Sequence, residues 1–213
     1  MTSLRSIIKQ IIDRKDYVTI VSGLPRSGTS MMMSALKAGG MSLLVDGYRS
    51  ADANNPKGYF EFERVKQLPK GDVGWVVTAK GKAVKIISAL LEYLPQGYEY
   101  RVLFMVRNLD EILSSQYRML MRTGKENGHS ISQDEIRQSF QEHLTLVKSW
   151  LSEQDWIQTR YFSYNDILHQ PDLVFKKVAN FLDNRLDTNA MTGVVEPDLY
   201  RAKKLRSDEG LYE

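Results

Sequence analysis

Two glycines, Gly23 and Gly28, frame a loop of Leu24, Pro25, Arg26 and Ser27 between an apolar run and a methionine-rich one. That is the spacing of the GxxxxGK[ST] loop, whose backbone N–H groups and following helical turn surround phosphate oxygens. The chemistry indicated is anion binding at the start of a helix, with Thr29 and Ser30 as hydroxyl donors. The residue after Gly28 is Thr29 and not Lys, and a nucleoside triphosphatase relies on that Lys to grip the β- and γ-phosphates. Here the loop cation is Arg26, ahead of the second glycine. A second group lies further on, where Arg107 closes an apolar run and Ser115 follows eight residues later. A guanidinium fork and a hydroxyl about two helical turns apart can converge on one phosphate.

The elements that must position these residues follow from the hydrophobic pattern. Residues 17–22 form an apolar strand, and 29–38 a helix with Met31, Met32, Met33, Ala35 and Leu36 on its buried side, ended by Gly39-Gly40. Residues 100–106 are short, β-branched and aromatic, as in a strand buried on both faces, and a helix over 109–122 carries Ser115. Around them the pattern predicts an amphipathic helix over 3–15, a long loop from Met41 to Lys57 and a short helix over 59–68. A strand over 82–87 follows, with a brief helix to Leu94, and then a glycine-containing loop over 123–130. A long helix over 132–153 places Ile136, Phe140, Leu144, Val147 and Leu151 on one face, a strand covers 156–162, and a helix with Pro at its first turn covers 171–182. Strands alternating with helices indicate an α/β fold with a central, mainly parallel sheet flanked by helices. Ligands of such sheets bind at the carboxyl ends of the strands, so the loops after Ser22, Val106 and Phe162 share one edge.

Composition bounds the rest. A chain of 213 residues with 42% hydrophobic content supports one sizeable core. We therefore expect a single domain over 1–213, its core at about 17–182 and a polar tail over 183–213. A net charge of +3 with interleaved signs argues against a nucleic-acid-binding surface. The absence of cysteine excludes disulfides and thiol nucleophiles. No stretch has the length and apolarity of a membrane span or signal peptide, so the expected setting is cytoplasmic.

Taken together, the loop and the Arg–Ser pair resemble the sulfotransferase superfamily, with its P-loop-like fold, which uses 3′-phosphoadenosine-5′-phosphosulfate (PAPS) as sulfuryl donor. Pro25-Arg26-Ser27-Gly28-Thr29-Ser30 is similar to the family's 5′-phosphosulfate loop, and Arg107 to Ser115 to its Arg-x7-Ser element for the 3′-phosphate. Asn55-Pro56-Lys57-Gly58-Tyr59-Phe60-Glu61 resembles the Asn-Pro-x-Gly-x-x-Glu segment of many bacterial members. Tyr164-Asn165-Asp166-Ile167-Leu168 resembles the Tyr-Glu-Asp-Leu segment, whose Tyr lies near the adenine. The likeness runs from about residue 17 to 182. The tail departs from it, since Arg201 to Arg206 is basic but lacks the family's glycine pattern.

The resemblance implies in-line transfer of a sulfuryl group to a hydroxyl or amine, leaving 3′,5′-diphosphoadenosine (PAP). Positioning and charge stabilisation would carry most of the rate. It implies that Gly23, Pro25, Arg26, Ser27, Gly28, Thr29, Ser30, Arg107, Ser115 and Tyr164 bind the nucleotide. Arg26 would stand at the leaving oxygen, and Lys85 is a second candidate cation. Glu61 is the candidate base, with Glu63 and Asp46 as alternatives. The acceptor would be a small molecule, glycan or lipid, and Tyr48, Tyr59, Phe60 and Phe62 are candidate lining residues. The acceptor pocket of so short a chain would be shallow, or completed by a partner subunit in a homo-oligomer. No metal is implied, because Arg107 stands where a kinase or ATPase would place a Mg²⁺-binding Asp. Two other readings stay open: a P-loop nucleotide kinase or hydrolase, and a nucleotide-binding module without catalysis.

Overall fold

The computed structural model describes residues 17–46, 58–123 and 132–195. The helix expected over 3–15, Tyr48, the Asn55-Pro56-Lys57 signature, the loop around His129 and the basic stretch 201–206 lie outside them. No helix among the described residues is long and apolar enough to cross a membrane.

Strand β1 spans Tyr17–Gly23, with every residue buried, as suits a central strand covered on both faces. It is flanked by β2 (Ala83–Lys85) and β3 (Glu99–Val106), and β4 (Ile157–Ser163) lies beyond β3. The order is β2-β1-β3-β4 with every pairing parallel. Gly23 lies opposite Met105, Met105 opposite Phe162, and Val21 opposite Lys85. The strands therefore end together, and the residues that follow them share one edge, as the sequence predicts.

Helices cover both faces. On one, Met32, Met33 and Leu36 of α1 (Thr29–Ala38) pack with Val174, Phe175 and Val178 of α6 (Pro171–Phe181). The other is filled by Trp75, by Val76 and Ala79 of α2 (Val76–Ala79), and by Leu91 and Leu151. Helix α3 spans Leu109–Thr123, and α4 spans Gln133–Ser152 behind a capping box between Ser132 and Glu135. Of the expected face of α4 only Leu151 is fully buried; Ile136, Phe140, Leu144 and Val147 are half-buried. The segment expected as a helix over 59–68 is a 3-10 helix over Glu63–Lys70, containing Pro69.

Beyond Leu182 the chain continues into the core. Helix α5 (Tyr164–His169) precedes α6, and α7 (Thr188–Thr192) follows it. Asp187 caps α7 by accepting from the Asn189 and Ala190 N–H groups at 3.0 Å, while its own N–H donates to the Gly39 carbonyl at 3.1 Å. Met191 is completely buried beside Gly39, where a Cβ would stand 2.7 Å from the Met191 side chain. The packed core thus extends past the boundary that sequence polarity suggested. Met191→Ala is expected to cost about 2–5 kcal/mol of stability. Urea unfolding measures this, and a change below about 0.5 kcal/mol would place Met191 outside the core.

Candidate functional site

The loop after β1 owes its shape to three backbone positions in the left-handed region. These are Gly23 (φ 144°), Arg26 (φ 70°) and Gly28 (φ 99°). A Cβ on Gly23 would lie 2.6 Å from both the Met105 carbonyl and the Ser27 hydroxyl, so glycine lets the loop close against β3. A Cβ on Gly28 would strike the Tyr164 ring. Pro25 is exposed at the tip, Ser27 is completely buried, and Gly28, Thr29 and Ser30 are half-buried.

Two features of this loop suit it to an anion. Helix α1 starts at Gly28 with no side-chain cap and no acid in its first turn, so its N-terminal N–H groups and positive dipole end are not answered by a capping carboxylate. The Ser27 hydroxyl is buried with no protein partner, a costly state unless something else bonds it. Both suit a phosphate or phosphosulfate group held by Gly23 through Ser30.

Arg107, at the end of β3, is held from three sides. Its Nε donates to Glu111 Oε2 at 2.8 Å, its Nη1 donates to the Arg26 carbonyl at 3.1 Å, and its guanidinium lies 4.1 Å from the centre of the Tyr164 ring. Arg26 Nε donates to Ser115 Oγ at 3.0 Å, so Arg26 links the loop to α3 and Ser115 lies beside it. Burial pushes the Tyr164 hydroxyl above its ordinary pKa, and Glu111 adds to this while Arg107 and Arg26 oppose it. Tyr164 therefore stays a neutral ring at neutral pH, suited to packing against a flat base or guanidinium. The fold brings Arg26, Arg107, Ser115 and Tyr164 together from segments at the ends of β1, β3 and β4.

Lys85 and Glu61 form a second group at the end of β2. Lys85 Nζ donates to the Tyr59 carbonyl and lies 3.8 Å from Glu61, and its side chain is only 10% exposed. Lys66 stands 3.9 Å from the other Glu61 oxygen and bonds Glu63 at 2.7 Å. Asp46 is tied to backbone: its carboxylate accepts from the Glu63 N–H, and its own N–H donates to the Glu61 carbonyl at 3.2 Å. Phe60 sits at φ 51°, a strained conformation for a bulky residue, next to Glu61. Phe60 and Phe62 do not share one face of the sheet. Tyr59 is buried, Phe60 packs on the α1 face, and Phe62 packs against Trp75 on the other, with ring centres 5.4 Å apart.

Of the histidines, His143 is hydrogen-bonded to Ser88 at 2.8 Å and His169 to the Asn165 carbonyl at 2.7 Å. No group of three metal-ligating side chains occurs among the described residues.

Comparison with known families agrees with this geometry. A profile described as "Sulfotransferase domain" matches residues 16–204. The chain belongs to the sulfotransferase family. No curated protein matches it. Among solved structures, the sulfotransferase domain from the curacin biosynthetic pathway is 17% identical with a TM-score of 0.50, over 80% of this chain and 75% of that one. This likeness supports the fold of the sulfotransferase, a parallel sheet flanked by helices. A sugar kinase from Janibacter sp. HTCC2649 is 11% identical with a TM-score of 0.43, over 84% of this chain and 98% of that one.

Sequence reasoning passed over Glu111 and Lys66. Glu111 was detectable, since an acid four residues after an arginine is a standard pairing distance on a helix. Lys66 gave no such signal toward Glu61, because the contact depends on the 3-10 helix that starts at Glu63.

Proposed function

We propose that the protein transfers a sulfuryl group from PAPS to a hydroxyl or amine of a small-molecule, glycan or lipid acceptor. The convergence of Arg26, Arg107, Ser115 and Tyr164 beside an uncapped helix N-terminus carries this assignment. The N–H groups of residues 27–30 and the Ser27 hydroxyl would hold the 5′-phosphosulfate. Arg107 would take the 3′-phosphate with Ser115 nearby, and Tyr164 would pack on the adenine. PAPS supplies the sulfuryl group, whose bond to the 5′-phosphate oxygen breaks as the acceptor oxygen or nitrogen bonds sulfur.

Arg26 neutralises charge on the departing phosphate oxygen. Glu61 takes the acceptor proton. Of the three candidate acids it is the one that lies 3.8 Å from Lys85 at the end of β2, whereas Asp46 accepts from the Glu63 N–H and Glu63 pairs with Lys66 at 2.7 Å. Lys85 would act chiefly by fixing the Tyr59 to Glu61 backbone at the edge of the sheet. A base alternative at His143 or His169 is disfavoured by their local bonds.

Incubation with ³⁵S-labelled PAPS and a panel of phenols, sugars, amines and lipid headgroup alcohols tests the activity. A labelled product that depends on the acceptor is expected. Donor binding with no transfer to any acceptor would favour a nucleotide-binding module instead.

A further inference from the structure

Arg107 is held from three sides, and one of its restraints is a carboxylate. Glu111, on the first turn of α3, accepts from Arg107 Nε at 2.8 Å, with side-chain exposures of 9% for Arg107 and 17% for Glu111. The other Glu111 oxygen accepts from Asn165 Nδ2 at 3.2 Å, across to α5. A carboxylate only accepts, so Asn165 must present its NH₂. Its Oδ1 is consequently buried with no partner, which costs free energy. The chain keeps that cost at the junction of two strand-end loops, where it fixes the plane of a guanidinium.

We propose that Glu111 and Asn165 are positioning residues for Arg107 and so set the preference of the site for a 3′-phosphorylated over a 3′-unphosphorylated adenine nucleotide. This rests on the assignment of Arg107 to the 3′-phosphate. Paired guanidinium–phosphate bonds need the fork at a fixed angle, and an unrestrained arginine loses rotamer entropy on reaching it. Glu111 and the Arg26 carbonyl remove that freedom before the nucleotide arrives, with the Tyr164 ring below.

The test is calorimetric titration of the full chain with PAP and with adenosine 5′-monophosphate, read as the ratio of the two affinities. Wild type is expected to favour PAP. Glu111→Ala is expected to lower the ratio about tenfold, the equivalent of one hydrogen bond to a charged group. Glu111→Gln should keep it within about threefold, because the amide oxygen still accepts from Arg107 Nε and the amide NH₂ can meet Asn165 Oδ1 once that side chain flips. Arg107→Ala should lower the ratio, and adding Glu111→Ala should lower it no further.

A Glu111→Ala ratio equal to wild type, with both nucleotides weakened alike, would reduce Glu111 to a structural role and overturn the proposal. So would a Gln variant as impaired as Ala, or a further drop in the Arg107→Ala background. If Glu111→Ala does not fold, Asn165→Ala provides the same reading, with a drop of about threefold expected and an unchanged ratio contradicting it. A wild type indifferent to the 3′-phosphate would instead remove the assignment of Arg107 itself, and the proposal with it.

Discussion

Glu61→Gln is expected to lower sulfuryl transfer by about 10²–10⁴-fold, the usual contribution of a positioned general base, while PAP binding stays within about twofold of wild type. The split follows from where Glu61 lies. It stands beside Lys85 and Lys66 at the end of β2, whereas the proposed nucleotide contacts come from β1, β3 and β4. Gln preserves the shape and the oxygen facing Lys85 but cannot take a proton at neutral pH. Initial rates with labelled donor and saturating acceptor, beside PAP titration of the same preparation, measure both quantities. A fully active variant would move the base to another residue. A variant that lost PAP binding as well would show that Glu61 holds the nucleotide.

Arg26→Met should reduce turnover about 10²–10³-fold, because it removes the cation assigned to the departing phosphate oxygen. Met keeps an unbranched, though shorter, side chain and faces the same φ of 70°, so the loop backbone is challenged no more than before. The substitution also removes the bond to Ser115 Oγ at 3.0 Å. Ser115→Ala removes that bond alone and leaves the charge, and should cost no more than about tenfold. Equal losses in the two variants would mean that Arg26 acts only by holding Ser115, and that the charge at the leaving oxygen comes from elsewhere.

The central half of this site was legible in the sequence. Gly23 and Gly28 signalled a loop because two positive-φ positions at that spacing admit few other residues, and both carry positive φ in the structure. Strand β3 was legible from its short apolar run, and the parallel order placed Arg107 and Tyr164 beside the loop after β1. What could not be read were contacts between distant residues. Two arginines near one serine leave open which of them bonds it, and the structure gives Ser115 to Arg26, eighty-nine positions away.

Polarity also misled at the ends of the pattern. A single buried methionine in a five-residue helix gives no periodicity, so α7 read as tail although Met191 is fully buried. Helix α2, four residues long beside Trp75, is likewise too short to show a periodicity. The aromatics at Tyr59, Phe60 and Phe62 suggested a pocket by composition, yet the turn at Phe60 directs neighbouring side chains to opposite faces of the sheet.

The central claim is that this edge of the sheet holds an adenine nucleotide phosphorylated at both the 3′ and 5′ positions. Calorimetric titration of the wild-type chain with PAP, and separately with ATP and Mg²⁺, tests it most directly. Saturable PAP binding, weakened at least about tenfold by Arg107→Ala and exceeding that of ATP, is the predicted result. Tight binding of ATP with Mg²⁺ and none of PAP would contradict it.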